Sequence, residues 1–132
     1  MFHVIQLDLT IRSSSSPTFC ASSEYKQKGK SKLFWNSCFQ NSDHLYTWKM
    51  TNNTIQSTTH PEKCWFIKNL KKASNQAIFL KNCNEADQRQ QFYVENGMIW
   101  LIHKEADEKR FCVVFEGNER IRTRRCHDSF LG

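Results

Sequence analysis

The stretch Trp48-Lys49-Met50-Thr51-Asn52-Asn53-Thr54-Ile55 recurs as Phe92-Tyr93-Val94-Glu95-Asn96-Gly97-Met98-Ile99. In both, an aromatic residue is followed two positions on by Met or Val and seven on by Ile. Between them stands a pair, Asn52-Asn53 or Asn96-Gly97, of the kind that accepts the left-handed backbone of a tight hairpin turn. Each copy runs on to a cysteine, Cys64 or Cys112. The start of the chain, Phe2-His3-Val4 through Leu9 to Cys20, follows the same plan, with Phe2 in the place of the aromatic and Leu9 in that of the isoleucine. A second cysteine ends each copy, in Leu33-Phe34-Trp35-Asn36-Ser37-Cys38, Ile78-Phe79-Leu80-Lys81-Asn82-Cys83 and Ile121-Arg122-Thr123-Arg124-Arg125-Cys126. An aliphatic residue stands five before it every time. The aromatics are 46 and then 44 apart, the first cysteines 44 and 48, the second cysteines 45 and 43.

A period near 44 has few physical meanings. Helical repeats need long apolar runs at 3.6 spacing, and the apolar residues here alternate over short spans, as in Leu33-x-Trp35 and Ile78-x-Leu80. Turn pairs separate those spans, with Gly117-Asn118 a further one. Each unit is therefore about four short strands. Three propeller blades are too few to close a ring. Three four-stranded units close as an all-β trefoil, and 132 residues is three times 44. The expected architecture is one β-trefoil domain over residues 1–132, with the recurring aromatics Phe2, Trp48 and Phe92 in its core. Trp35, Trp65 and Trp100 have no aromatic counterpart in every unit, which leaves them the freer candidates for a surface role.

Composition agrees with one folded domain. There are 17 aromatic residues, only 2 prolines and 4 glycines, which excludes collagen-like and disordered classes. Lys plus Arg number 19 against 13 Asp plus Glu, a net charge of +6. That balance suits an acidic glycan or an anionic surface. The N-terminus lacks a basic start and is interrupted by Gln6 and Asp8, so it makes a poor secretory signal. The six cysteines have gaps of 18, 26, 19, 29 and 14. None is in Cys-x-x-Cys spacing, so neither a structural zinc site nor a thioredoxin-like motif is expected, and no cofactor is implied. The alternation of short and long gaps suggests three local pairs, Cys20–Cys38, Cys64–Cys83 and Cys112–Cys126, although counting alone leaves other pairings open. Paired cysteines argue for an extracellular or cell-surface ectodomain. The sequon Asn52-Asn53-Thr54 offers Asn52 as a glycosylation site in the same setting.

The segment Asn82-Cys83-Asn84-Glu85-Ala86-Asp87-Gln88-Arg89-Gln90-Gln91-Phe92 resembles the cysteine followed by Gln-x-aromatic of ricin B-type (R-type) lectin β-trefoils. Tyr46-Thr47-Trp48 keeps the aromatic of that motif and replaces the Gln. The third unit stops at Gly132, where its own motif is due. Among relatives, the loose motifs are most similar to the cysteine-rich domain of mannose-receptor-type proteins. The resemblance spans nearly the whole chain and implies the same three local disulfides, a carbohydrate-recognition function and a Gln90 that is structural as well as close to the ligand. It also implies an Asp shortly after the first cysteine of a galactose-binding unit, which hydrogen-bonds the sugar. That Asp is missing: Ala21-Ser22, Trp65-Phe66 and Val113-Val114 stand there instead. The residue before Gln90 is Arg89 rather than the expected Asn. A galactose site of the usual kind is therefore not expected in any unit.

The basic residues suggest a different ligand. In Arg120-Ile121-Arg122-Thr123-Arg124-Arg125 a strand puts Arg120, Arg122 and Arg124 on one face, where guanidiniums suit sulfate or carboxylate. Lys68, Lys71 and Lys72 form a second cluster, and Lys26, Lys28, Lys30 and Lys32 a third. The candidate site for a sulfated or acidic glycan is Lys68, Arg120, Arg122 and Arg124, with Trp65 or Trp100 as stacking platform. The plainer reading makes these charges solvated edges that discourage aggregation, partly neutralised by Glu105, Asp107, Glu108, Glu116 and Glu119. Five scattered histidines and the absence of nucleophile, metalloprotease or phosphate-loop motifs argue against an enzyme. The two function classes left are a lectin-like module of a receptor or secreted protein, and a trefoil without sugar binding that serves protein interaction or structure. No nucleic acid partner is expected, and membrane attachment only through parts of a parent protein outside this chain. From Cys126 through Gly132 and round to Phe2 the gap is 8, against 10 and 9 between closing cysteine and aromatic inside the chain, so the chain holds nearly three full repeats. The seam is therefore expected inside a unit, as in a cyclically shifted or truncated product.

Overall fold

A computed structural model describes residues 4–7, 9–38, 44–102 and 110–126. Its strands fall into three like sets. The first is β1 (Val4–Leu7), β2 (Thr10–Ser13), β3 (Ser16–Glu24) and β5 (Phe34–Ser37), with two-residue strands β4 (Ser31–Lys32) and β6 (His44–Leu45) beside them. The second is β7 (Trp48–Thr51), β8 (Thr54–Ser57), β9 (Lys63–Phe66) and β10 (Phe79–Asn82). The third is β11 (Phe92–Glu95), β12 (Met98–Leu101), β13 (Arg110–Glu116) and β14 (Arg120–Cys126). One sheet runs β1-β2-β3-β5-β14-β13-β12-β11, and the other β4-β10-β9-β8-β7. This is the expected all-β trefoil of three units.

Each unit opens with a hairpin whose turn needs positive φ. Asn52 and Asn53 lie at 49° and 64°, Asn96 and Gly97 at 53° and 74°, and Leu9 at 66°. Asn and Gly enter this region at least cost, which is why the two turn pairs stood out in the sequence. The last residue of each turn then docks the next unit. The Trp48 N–H donates to the Leu9 carbonyl at 2.7 Å, and the Phe92 N–H to the Asn53 carbonyl at 2.8 Å. The Val4 N–H donates to the Gly97 carbonyl at 2.5 Å and closes the ring.

Those three bonds correct the alignment of the first unit. Val4, not Phe2, occupies the place of Trp48 and Phe92, and Ile11, not Leu9, that of Ile55 and Ile99. The period is then 44 throughout, at 4, 48 and 92 and at 11, 55 and 99. Leu9 sits in the turn and is 52% exposed, whereas Ile11, Ile55 and Ile99 are all buried. Phe2 lies outside the described residues, as do Cys126's successors, where the seam was expected.

The core lies on the pseudo-threefold axis. Trp48 and Phe92 pack edge-on against Trp65, with ring centroids 5.7 and 6.1 Å away. The Trp48 indole N–H donates to the Ala21 carbonyl at 3.0 Å. Leu33, Ile78 and Ile121, the aliphatics five before each closing cysteine, are buried together in the same cluster. Cys20–Cys38, Cys64–Cys83 and Cys112–Cys126 are bonded as expected. Each ties the third strand of a unit to the end of its fourth, and each such loop contributes about 3 kcal/mol by restricting the unfolded chain. Gln90 is buried and structural. Its amide donates to the Asn82 carbonyl and accepts from the Asn84 N–H, both at 2.9 Å, so it clamps the backbone on either side of Cys83.

Candidate functional site: a basic cap around two phenylalanines

The fourth strands of the three units meet at one end of the barrel. The Leu33 N–H donates to the Ile78 carbonyl at 2.7 Å, the Trp35 N–H to the Glu119 carbonyl at 3.0 Å, and the Thr123 N–H to the Gln76 carbonyl at 2.9 Å. Leu33, Ile78 and Ile121 point into the core, so the residues that follow them, Phe34, Phe79 and Arg122, point out. The ladders set their neighbours. Lys32 lies across from Phe79, Phe79 from Phe66, Arg120 from Phe34, and Ala77 bridges to Arg122.

Cations collect on these rings. Lys68 Nζ stands 4.5 Å above Phe79. Around Phe66 stand Lys30 Nζ at 5.3 Å, Lys81 Nζ at 4.8 Å and the Arg89 guanidinium at 4.9 Å. The aliphatic stems of these side chains cover Phe66, which is why a ring on the outer side of a sheet is buried. Asp87 answers one of the cations, holding Arg89 by paired bonds of 3.0 and 2.8 Å. The Arg89 hydrogen bond keeps the Asp87 carboxyl below its ordinary pKa and raises that of Arg89. Among the described residues, Lys30, Lys32, Lys68, Lys81, Arg120 and Arg122 form no ion pair with a carboxylate. Arg122 Nη1 reaches only the Asn75 carbonyl and side chain, at 3.4 and 3.5 Å, and its buried Nε has no partner. Asn75 belongs to the loop that carries Lys71 and Lys72, both exposed. The lysine loop and the arginine strand, separate in sequence, are thus neighbours.

The structure divides the residues expected to bind ligand. Lys68 lies over Phe79, Arg120 across from Phe34, and Arg122 beside Asn75 and Ala77. Arg124 shares the outward face of β14 but is engaged: Glu116 takes its guanidinium in bonds of 2.7 and 2.8 Å. Glu105, Asp107 and Glu108 lie outside the described residues. Trp65 and Trp100 are not stacking platforms, because both are fully buried. Trp65 follows the buried Cys64 on β9 and points to the axis between Trp48 and Phe92. Trp100 faces outward across from Cys112, but Arg110 lies over its ring at 4.0 Å and its N–H donates to the Glu95 carbonyl at 3.2 Å. With Met98 and the Cys112–Cys126 bond it forms a small second core. Trp35 is buried too, its N–H given to the Glu116 carbonyl at 2.7 Å. Asn52 is exposed in its turn, where its amide donates to Glu85 at 2.9 Å.

Sequence reading missed Phe66, Lys81 and Arg89. They come from three separate segments, and no local pattern marks cations that meet over one ring. Among the described residues no group of His, Cys, Asp or Glu is arranged to hold a metal ion.

No protein-family model matches the chain, and no curated protein matches its sequence. Among solved structures, it is similar to the β-trefoil lectin of the Vibrio vulnificus hemolysin/cytolysin, solved with N-acetyl-D-lactosamine bound. The TM-score is 0.70, the identity 14%, and the match covers 94% of this chain and 85% of that one. At that identity the likeness speaks for the fold, and with the threefold hydrogen-bond pattern it establishes a β-trefoil.

Proposed function

We propose that this β-trefoil is a carbohydrate-recognition module for sulfated or otherwise acidic glycans, bound across the basic cap. One observation carries the reading: Lys30, Lys32, Lys68, Arg120 and Arg122, on neighbouring strands and rings, form no ion pair with a carboxylate among the described residues. Like charges so close repel one another, and an anionic ligand relieves that repulsion. Guanidiniums hold sulfate or carboxylate by paired bonds, and the lysines add point charges around them. The Vibrio lectin, which carries an oligosaccharide, supports the glycan class. Nucleic acid is disfavoured because the Phe66 face that would stack a base is already covered by cations. Three disulfides support an extracellular setting, as part of a receptor or a secreted protein.

A glycan array read at low and at physiological salt tests this. Binding to sulfated or carboxylated glycans is expected, and that binding is expected to be lost in an Arg120→Ser/Arg122→Ser variant. A folded protein that binds no glycan at either salt overturns the reading and leaves a trefoil used for protein interaction or structure.

A further inference from the structure

Two lysine-bearing loops follow the third strand of the first and second units. The first is Tyr25-Lys26-Gln27-Lys28-Gly29-Lys30, between β3 and β4. The second, with Lys68, Lys71 and Lys72, runs between β9 and β10. They differ in what holds their backbones.

The second loop is clamped. The Asn69 N–H donates to Gln76 Oε1 at 3.1 Å, and the Gln76 side-chain amide donates back to the Asn69 and Lys72 carbonyls. The Lys71 N–H donates to Asn69 Oδ1 at 2.9 Å. Thr123 of β14 then pins the loop. Its carbonyl accepts from the Asn75 N–H at 2.7 Å and its hydroxyl from the Gln76 N–H at 2.9 Å. Ala73 between them is buried.

The first loop is held only at its ends. Its entry is fixed by the Tyr25 ring, stacked on His60 of the second unit with centroids 3.7 Å apart. Its exit is fixed by Lys30 Nζ, 5.3 Å over Phe66, and by β4, which pairs with β10. Between these anchors Lys26, Gln27, Lys28 and Gly29 are all exposed. No hydrogen bond or ion pair to another described residue engages them. Gly29 has a φ of 85°, and a Cβ there would meet nothing within 4 Å. The whole loop lies between Cys20 and Cys38, which are bonded to each other.

We propose that this loop is a processing site for a trypsin-class serine protease, which cuts the Lys28–Gly29 bond and leaves a two-chain trefoil. Such an enzyme takes a lysine in a pocket closed by a carboxylate. It also needs a segment that opens locally, and an exposed loop tip without backbone partners does so at least cost. Lys30 is held over Phe66, and Lys26 lines a shallow pocket with Glu24 and Phe34, so Lys28 is the lysine that stands clear. Water adds across the peptide bond, giving Lys28 a carboxylate and Gly29 an α-amino group. Neither side leaves the fold, because β3 stays paired with β5 from Phe19 to Ser22, β4 stays on β10, and the Cys20–Cys38 bond joins the two chains. Lys30 and Lys32 follow the cut and keep their places in the cap.

Limited digestion of the folded full chain with trypsin tests this, with intact mass read before and after reduction. Without reductant the expected early product is one species, heavier than the parent by a single water. With reductant it parts into residues 1–28 and 29–132. The nicked protein is expected to keep a cooperative thermal transition. Lys26→Gln/Lys28→Gln changes only exposed side chains and is expected to remove this product. Three results overturn the proposal: cutting after Lys71 or Lys72 before Lys28, fragments that part without reductant, or loss of the thermal transition on nicking. None of these readouts depends on what the cap binds, so this site and the glycan reading fail separately.

Discussion

At the scale of single residues, a type of side chain meant less than where its strand turned it. Trp35, Trp65 and Trp100 were the free aromatics by counting, and all three are buried, Trp65 on the axis and Trp100 under Arg110. Arginines spaced for one face of β14 are on that face, yet Glu116 engages Arg124 while Arg122 is left with an unpartnered Nε. Asp87 gives a pH test. Its hydrogen bond to Arg89 lowers its pKa in the folded state, so across that window the unfolded chain binds more protons than the folded one. The stability it contributes is present above the unfolded-state pKa and is lost as pH falls through the folded value. Thermal melts from neutral pH into acid are expected to show Asp87→Asn less stable at neutral pH and equal to the parent at the acid end. A difference that persists unchanged into acid contradicts this.

Among elements, the hairpins were the most legible. A two-residue turn needs residues that accept positive φ, and Asn52-Asn53 and Asn96-Gly97 are such pairs. Leu9 was hidden because nothing about leucine signals a left-handed turn, and so the first unit was aligned two residues early. The turn is also a joint, since the Gly97 carbonyl closes the ring through Val4. Gly97→Val forces a β-branched side chain to a φ of 74°. It is expected to cost about 1–2 kcal/mol, measured as a lower midpoint in urea with unchanged slope. An unchanged midpoint shows that the turn relaxes without strain. The closing cysteines were readable for a related reason: the aliphatic five before each of them is buried in every unit.

For the whole molecule, the consequence of threefold closure is the cap. It joins Lys30 and Lys32 of the first unit, Lys68, Lys81 and Arg89 of the second, and Arg120 and Arg122 of the third. A ligand held by such a surface is screened by salt, with a Debye length of about 8 Å at physiological ionic strength. Affinity for heparin, used as a sulfated probe, is expected to fall steeply between low and physiological salt. A Lys68→Ser/Lys81→Ser variant, which keeps the core and the disulfides, is expected to bind more weakly and with a shallower salt dependence. Isothermal titration at several salt concentrations measures both, and a variant with the parent's slope places the binding elsewhere.

The sequence by itself determined the repeat, the strand class, the turns and the disulfides, because period, turn chemistry and cysteine spacing are local and recur three times. It also marked Arg120, Arg122 and Arg124 as cations spaced for one strand face, and Lys68 as part of a separate basic cluster. Only the tertiary structure decided which aromatics reach solvent, which arginine already has a carboxylate, and which cations meet over Phe66 and Phe79. It alone brought Tyr25 onto His60 across two units. Such contacts join residues tens of positions apart through strand register and ring closure, and no local pattern carries that information.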